Sequence, residues 1–192
     1  MSKMSRALAV LILLLALALP AAASTPLANG WVGDVTIDVQ RLPNVRFLQV
    51  RLVQAARGWT VIESADVPNA TTGAQIIAWA NAKVAWYDKM YAAWQDLKNV
   101  RVGQTLTQGS WQVTILAAEA TLSPPVITAK LRLTYTPLGI SALGSYVISD
   151  PSQYTWVAFQ AWVKDWAGTC AARYTAAMTP VAQSELDKAV AQ

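Results

Sequence analysis

The sequence predicts an α+β fold in which two long, tryptophan-rich helices pack on one face of an antiparallel sheet of about five to six strands in two groups. Two observations support this prediction. The chain contains two groups of stretches in which apolar and polar residues alternate, which indicates strands. Each group is followed by one long stretch with apolar residues at helical spacing, which indicates a helix. The two halves of the chain therefore look alike in layout, although the similarity between their residues is too weak to establish a repeat.

The first strand group begins with a half-buried strand. Val35, Ile37 and Val39 alternate with polar residues, which predicts that the three share one face. A turn at Leu42-Pro43-Asn44 follows, and residues 45–54 and 59–63 then predict the two strands of a hairpin. The polar residues Asp34 and Asp38 are expected together on the opposite face of the first strand.

A long helix is predicted from about Ala74 to Lys98, after turn and capping residues over 66–73. Its apolar residues recur at helical spacing and form a wide stripe, which indicates packing against a sheet. The stripe contains Trp79, Val84, Trp86, Met90, Trp94 and Leu97. Lysines and aspartates within the same stretch exclude a membrane-spanning helix.

The second strand group has the clearest alternation in the chain. Residues 100–106 predict a short strand, residues 111–117 predict a second, and residues 127–136 predict a third with one buried and one solvated face. Turns are expected at 108–110 and 123–125, where glycine and proline interrupt the pattern. These strands belong to an antiparallel sheet.

A second long helix is predicted from about Pro151 to Met178. Asp150 followed by proline is typical of a helix start. One side of this helix carries Trp156, Phe159, Val163, Trp166, Cys170 and Tyr174. A short polar helix is predicted over 182–191, whereas residues 137–149 show no pattern that assigns them.

The first 23 residues have the order of a secretory signal peptide. Lys3 and Arg6 precede an apolar run over 7–19, and small residues follow at 21–23. The run is shorter than the roughly 20 residues that a spanning helix needs. We therefore expect cleavage near Ala23-Ser24 and a mature single α+β domain over 24–192, located in the periplasm or outside the cell. An uncleaved membrane anchor is the alternative.

Composition narrows the classes of partner and chemistry. Lysine and arginine number 15 against 11 acidic residues, but two of the basic residues lie in the leader and the others do not cluster, which argues against nucleic-acid binding. Cys170 is the single cysteine, so an internal disulfide is excluded. It is either a small buried apolar residue or the site of an intermolecular bridge.

Few catalytic arrangements are available to this chain. It has no histidine, which removes the usual general base, the usual metal ligand and the central member of a hydrolase triad. Asp34 and Asp38 would stand roughly 13 Å apart on one strand, too far for glycoside hydrolysis. No metal or cofactor motif is found. The sequence therefore predicts a protein that is not an enzyme and that needs no cofactor.

The aromatic residues support three hypotheses about function. The chain has nine tryptophans, and core packing accounts for a stripe of them on a helix. Both long helices carry further aromatic residues beyond that stripe, Tyr87, Tyr91 and Trp162, and Trp and Tyr are favoured at interfaces. The leading hypothesis is an exported envelope protein, structural or scaffolding, that acts through a protein partner or self-association. The second is a carrier of an apolar or aromatic small molecule in a cavity lined by Trp79, Trp86, Trp156 and Trp166. The third is a sugar or cell-wall binder that uses Trp31, Trp59 and Trp111.

Overall fold

The structure, a computed structural model, describes residues 24–178, with side chains as far as Tyr174. Within these residues the chain divides into two compact units, the first ending at Tyr87 and the second beginning at Asp88. The predicted signal peptide over 1–23 and the predicted helix over 182–191 lie outside the described residues. The single-domain prediction for 24–192 therefore stays a prediction.

The first unit contains a four-stranded antiparallel sheet with the order β1-β2-β3-β4. A long helix follows the sheet and continues past Tyr87 into the second unit. The elements are β1 (Thr25–Pro26), β2 (Val32–Leu42), β3 (Val45–Gln54), β4 (Trp59–Pro68) and α1 (Gly73–Gln95). The helix begins with a capping box, because Gln75 N donates to Thr72 Oγ1 at 3.3 Å and Thr72 N donates to Gln75 Oε1 at 2.8 Å.

The second unit contains a sheet with the order β5-β6-β7-β8, also antiparallel and also followed by a long helix. The elements are β5 (Thr105–Gln108), β6 (Trp111–Leu122), β7 (Pro125–Tyr135), β8 (Ile140–Ile148) and α2 (Trp156–Met178). A π-helical turn over Asp96–Arg101 connects α1 to this sheet, and a 3₁₀ turn over Pro151–Gln153 comes before α2.

The α+β class is confirmed, but the prediction of one sheet with five to six strands and both helices on one face is wrong. There are two four-stranded sheets. The sequence pattern predicts a strand over 100–106, but the first part of this stretch is π-helical and β5 begins only at Thr105. The unassigned stretch 137–149 forms β8. Leu143 and Val147 on its outward face are 75% and 55% exposed, so apolar residues lie on both faces of β8 and no period-two pattern appears.

The core of each unit lies between the sheet and its helix. In β3, Leu48, Val50 and Leu52 are buried at alternate positions, which defines the helix-facing side of the first sheet. In β7, Ala129, Leu131 and Leu133 do the same for the second sheet, and its helix contributes buried apolar side chains at helical spacing. These helix residues are Phe159, Val163 and Ala167.

An irregularity in β2 changes which face its side chains occupy. Val35 lies opposite Val50, but Ile37 lies opposite Gln49, so Thr36 is an extra residue in the ladder. Val35 is therefore on the helix-facing side, whereas Ile37 and Val39 are on the outer side. The prediction that these three share one half-buried face is wrong, because an inserted residue reverses the alternation.

The two units follow the same structural plan down to particular backbone conformations. Gly58 immediately before β4 and Gly139 immediately before β8 both have a left-handed backbone, with φ of 66° and 65°. Asn29 has φ of 55° and Gly109 has φ of 57°. Each of these two comes two residues before a tryptophan: Trp31 immediately precedes β2, and Trp111 is the first residue of β6.

The ladders and helix starts of the two units also correspond. The register shift between Val35 and Ile37 in β2 has its counterpart between Ile115 and Ala117 in β6. A threonine caps each long helix: Gln75 N donates to Thr72 Oγ1, and Ala158 N donates to Thr155 Oγ1 at 3.0 Å. These shared features allow residues of the two units to be matched position by position.

Candidate functional site

The first unit contains an apolar hollow of about 170 Å³ between the start of α1 and strands β1 to β3. No charged side chain lines it, and Thr25 provides its one hydroxyl. The walls are formed by Thr25, Leu27, Gly33, Val35, Val50, Gly73, Ile76, Ile77 and Ala80. We call this space the first-unit hollow.

Small residues create the hollow. A Cβ added at Gly73 would meet no atom within 4 Å, so the side-chain position there is open space. At Gly33 an added Cβ would come within 3.0 Å of Leu27 Cδ1, and the missing side chain lets Leu27 approach β2. Ala80 supplies only a methyl group on the helix side. A larger side chain at Gly73 or Ala80 would extend into the space.

Matched positions in the second unit carry larger side chains. Trp156 follows the capping Thr155 as Gly73 follows Thr72, and Val163 corresponds to Ala80 by the same helix register. Trp156 stacks on Phe159 with ring centroids 5.3 Å apart, and the guanidinium carbon of Arg101 lies 4.2 Å from the Trp156 ring centre. The position that is open in the first unit is thus occupied by an indole in the second.

A second feature of the first unit is an exposed apolar surface on the outer face of its sheet. Ile37, Val39 and Leu42 are 38%, 50% and 60% exposed. Cross-strand pairing places Val39 opposite Phe47 and Leu42 opposite Val45, so the five side chains are neighbours on one face. We call these residues, Ile37, Val39, Leu42, Val45 and Phe47, the outer patch.

The charges that border the outer patch are paired within the first unit. Arg41 Nη1 lies 3.2 Å from Asp66 Oδ1, and the Arg41 guanidinium carbon lies 5.1 Å from the centre of the Phe47 ring. Arg51 Nη2 lies 2.6 Å from Asp34 Oδ2. The patch is therefore apolar and is bordered by neutralised pairs.

The two aspartates of β2 do not form a pair. Asp34 lies opposite Arg51 on the outer side, whereas Asp38 lies opposite the buried Leu48 and pairs with Arg46 at 3.0 Å. The prediction that Asp34 and Asp38 share one face is wrong, because the inserted Thr36 lies between them and reverses the alternation. Each carboxylate is bound to its own arginine.

The four tryptophans predicted as ligand or partner contacts are all half-buried. Trp79 and Trp86 belong to the first unit, but neither lines the first-unit hollow. Trp156 is the indole over Phe159, and Trp166 packs on Gly144, where an added Cβ would lie 2.5 Å from Trp166 Cζ2. Their role in binding stays a prediction, and the ring contacts described for all four are to residues of their own unit.

The tryptophans proposed for sugar binding lie inside their units. Trp31 is 1% and Trp59 is 8% exposed. Trp111 is half-buried and packs against Tyr135 and Tyr174, with centroid distances of 4.9 and 6.0 Å. A sugar platform needs exposed ring faces, which Trp31 and Trp59 do not provide.

Each unit has a phenol that donates to a carboxylate. Tyr87 Oη donates to Glu63 Oε1 at 2.7 Å in the first unit, and Tyr154 Oη donates to Asp96 Oδ2 at 2.6 Å in the second. Burial and the adjacent carboxylate raise the pKa of both phenols well above the ordinary value. Glu63 also accepts from Lys83 Nζ at 2.9 Å, so these groups form structural networks.

Residues 24–178 contain no group of three or more His, Cys, Asp or Glu side chains that could hold a metal ion. Among the described helices, none is long and apolar enough to cross a membrane. Cys170 is a half-buried free thiol, and both of its predicted roles stay open. Comparison with known protein families, with curated proteins and with solved structures found no match.

Sequence reasoning missed both the first-unit hollow and the outer patch. Gly33, Gly73 and Ala80 carry no signal in a hydrophobicity pattern, because the pattern records large apolar residues and not missing ones. The outer patch depends on the extra residue Thr36, and a period-two count cannot detect an insertion. The one available signal was the resemblance in layout between the halves, which would have aligned Gly73 with Trp156.

Proposed function

We propose that this chain is an exported, non-enzymatic envelope protein that acts through protein–protein contact, and that a second copy docks on the outer patch. The observation that carries the proposal is the exposure of large apolar side chains side by side on an ordered hairpin. Val39 and Leu42 are each at least half exposed to solvent, at 50% and 60%. A contiguous apolar surface of this kind is typical of an interaction site.

The backbone beside the patch supports docking. Strand β1 pairs with β2 only at Val32 and Gly33, so within the described residues no strand lies beyond β2 from Asp34 to Leu42. An unpaired strand edge with apolar side chains is a surface to which another chain adds readily. Burying the patch would also remove apolar area from water at roughly 25 cal/mol per Å².

The charges favour a second copy over a charged partner. A two-fold interface brings each surface against itself, so a patch with net charge would repel its own copy. Here Asp34 and Asp66 are each paired with an arginine of the same sheet. Among the described residues, the charges beside the patch are therefore balanced, and they neither select an oppositely charged protein nor prevent self-association.

Export and the absence of catalysis rest on the sequence. Lys3, Arg6, the apolar run and the small residues before Ser24 support cleavage and a periplasmic or extracellular location. A chain without histidine lacks the commonest acid–base group. In the described residues, Asp34 and Asp38 are bound to different arginines, which supports a structural role for both.

Native mass spectrometry of the protein purified gently from the envelope fraction tests both parts of the proposal. We expect a chain mass that begins at Ser24 and a dimer that contains two such chains. Val39→Lys should weaken the dimer by on the order of tenfold or more, because it buries an unpaired charge in the interface. Sedimentation equilibrium over a concentration series measures the dissociation constant.

The matched control is Val157→Lys, the same substitution at a valine that is 73% exposed on α2. It should leave the dimer unchanged, and circular dichroism should show both variants folded. A wild-type chain that remains monomeric at every concentration would overturn self-association, as would a dimer that Val39→Lys leaves intact. A mass that retains residues 1–23 would overturn the export part.

A further inference from the structure

We propose that the first-unit hollow binds one small, uncharged, apolar molecule of about the size of a single aromatic ring. This inference is independent of the docking of a second copy on the outer patch, since the hollow lies on the helix-facing side of the sheet. Val35 and Val50 form part of its wall on that side. Failure of either proposal therefore leaves the other standing.

The volume sets the size of the ligand. The hollow measures about 170 Å³, and an engineered apolar cavity of about 150 Å³ in another protein binds benzene. The space is too small for most drug-sized molecules, whose pockets begin near 300 Å³. One ring with a methyl group, or a branched alkyl group of the same bulk, fits this volume.

The walls set the chemistry of the ligand. Leu27, Val35, Val50, Ile76 and Ile77 present hydrocarbon, and the lining contains no charged side chain. A carboxylate or ammonium group placed against these walls would lose part of its hydration without gaining a partner, which is unfavourable. Of two compounds of similar size, one neutral and one charged, the hollow therefore binds the neutral one more tightly.

The second unit shows that this structural plan does not require an open space. At the matched helix positions it has Trp156 where the first unit has Gly73, and Val163 where the first unit has Ala80. Phe159 and Val163 are 0% and 1% exposed, so the helix start packs tightly there. Gly73, Ile77 and Val35 in the wall of the first-unit hollow are exposed, so the hollow opens to solvent and its apolar walls face water. A ligand in the hollow would remove this apolar surface from water.

A side chain of the predicted leader, residues 1–23, is the main competing occupant. The described chain starts at Ser24, next to Thr25 in the wall, so an uncleaved leader would begin beside the hollow. The predicted cleavage after Ala23 removes that segment from the mature protein. For this reason the test uses the mature chain, residues 24–192, and repeats the titration with the full chain as a separate arm.

The experiment is a methyl-detected NMR titration with toluene as the probe and benzoate as its charged partner of similar ring size. Toluene should shift the methyl signals of Val35, Val50, Ile76 and Ile77 and should show direct contacts to them. Benzoate should bind at least about tenfold more weakly. If the full chain fails to bind toluene while the mature chain binds it, the leader occupies the hollow before cleavage, and the proposal for the mature protein stands.

Two variants copy the second unit into the first. Gly73→Trp and Ala80→Val should each abolish or greatly weaken toluene binding, because the larger side chain occupies the hollow. The matched control is Ala74→Trp, which places the same indole at the next, exposed position of α1 and should leave binding unchanged. The proposal would be overturned if toluene shifts none of the four methyl-bearing residues in the wild type. It would also be overturned if Gly73→Trp and Ala80→Val both fold and still bind toluene as the wild type does.

Discussion

At the scale of single residues, glycines decide where this protein has space and where it has none. Gly73 leaves a side-chain position empty, whereas Gly144 in β8 is covered by an indole. An added Cβ at Gly144 would lie 2.5 Å from Trp166 Cζ2 and 2.7 Å from Cη2. The ring itself is held by stacking on Trp162, with centroids 5.7 Å apart, so it has little freedom to move aside.

We therefore predict that alanine has opposite effects at two glycines of the second unit. Gly144→Ala should destabilise the protein by about 1–3 kcal/mol, because the methyl group overlaps the Trp166 ring. Gly168→Ala, inside α2 with nothing within 4 Å of the new methyl group, should stabilise it by about 0.5–1 kcal/mol. Urea unfolding of both variants measures the two free energies. Equal effects of the same sign would contradict this account of Gly144.

At the scale of elements, the sequence located most helices and strands but not where the second helix begins. Asp150-Pro151 predicts that this helix starts at Pro151, yet Asp150 caps only the 3₁₀ turn over Pro151–Gln153. Ser152 N donates to Asp150 Oδ1 at 2.9 Å. The α-helix starts at Trp156, after Thr155, whose hydroxyl accepts from Ala158 N. A short turn with its own cap therefore resembled the first turn of the longer helix.

We expect the true cap to matter more than the apparent one. Thr155→Ala should lower the free energy of unfolding by about 1 kcal/mol, because it leaves an N–H of the first turn of α2 without an acceptor. Asp150→Ala should lower the free energy of unfolding clearly less than Thr155→Ala does, since the turn that Asp150 caps contributes few hydrogen bonds. Thermal and urea unfolding of the two variants provide the comparison. A larger loss in Asp150→Ala would mean that the 3₁₀ turn holds the helix start in place.

At the scale of the whole molecule, the chain is built from two units that share a plan but differ in how the plan is filled. The first unit has small residues at the start of its helix and an exposed outer patch. The second has stacked aromatic side chains at the matched helix positions, such as Trp156 on Phe159. Both units contain a phenol that donates a hydrogen bond to a carboxylate. This pair makes the free energy of unfolding depend on pH in each unit.

Alkaline pH should destabilise both units through these phenols. Because the pKa of Tyr87 and of Tyr154 is raised in the folded state, their contribution to stability is complete below the ordinary tyrosine pKa of about 10. Above that value the unfolded chain ionises first, so stability falls as the pH rises. The double variant Tyr87→Phe, Tyr154→Phe should lose less free energy of unfolding between pH 9 and pH 11 than the wild type does. An identical loss in both proteins would contradict this assignment.

The amino-acid sequence by itself determined the α+β class, the two helices and most of the strands of this protein. Those features are local, because alternation along 127–136 or a helical stripe through Trp79 and Met90 depends on near neighbours in the chain. Its N-terminal pattern predicts export, and its lack of histidine removes the commonest acid–base group. The sequence did not predict β8, because this strand has apolar residues on both faces and therefore shows no period-two pattern.

Only the tertiary structure decided the division into two sheets, the face on which each β2 side chain lies and the position of open space. Strand pairing joins residues far apart in sequence, and the single inserted residue Thr36 moves Ile37 and Val39 to the outer side. The first-unit hollow depends on what is missing at Gly33, Gly73 and Ala80 once several elements meet. A cavity is a property of side chains from distant segments together, and no local pattern contains it.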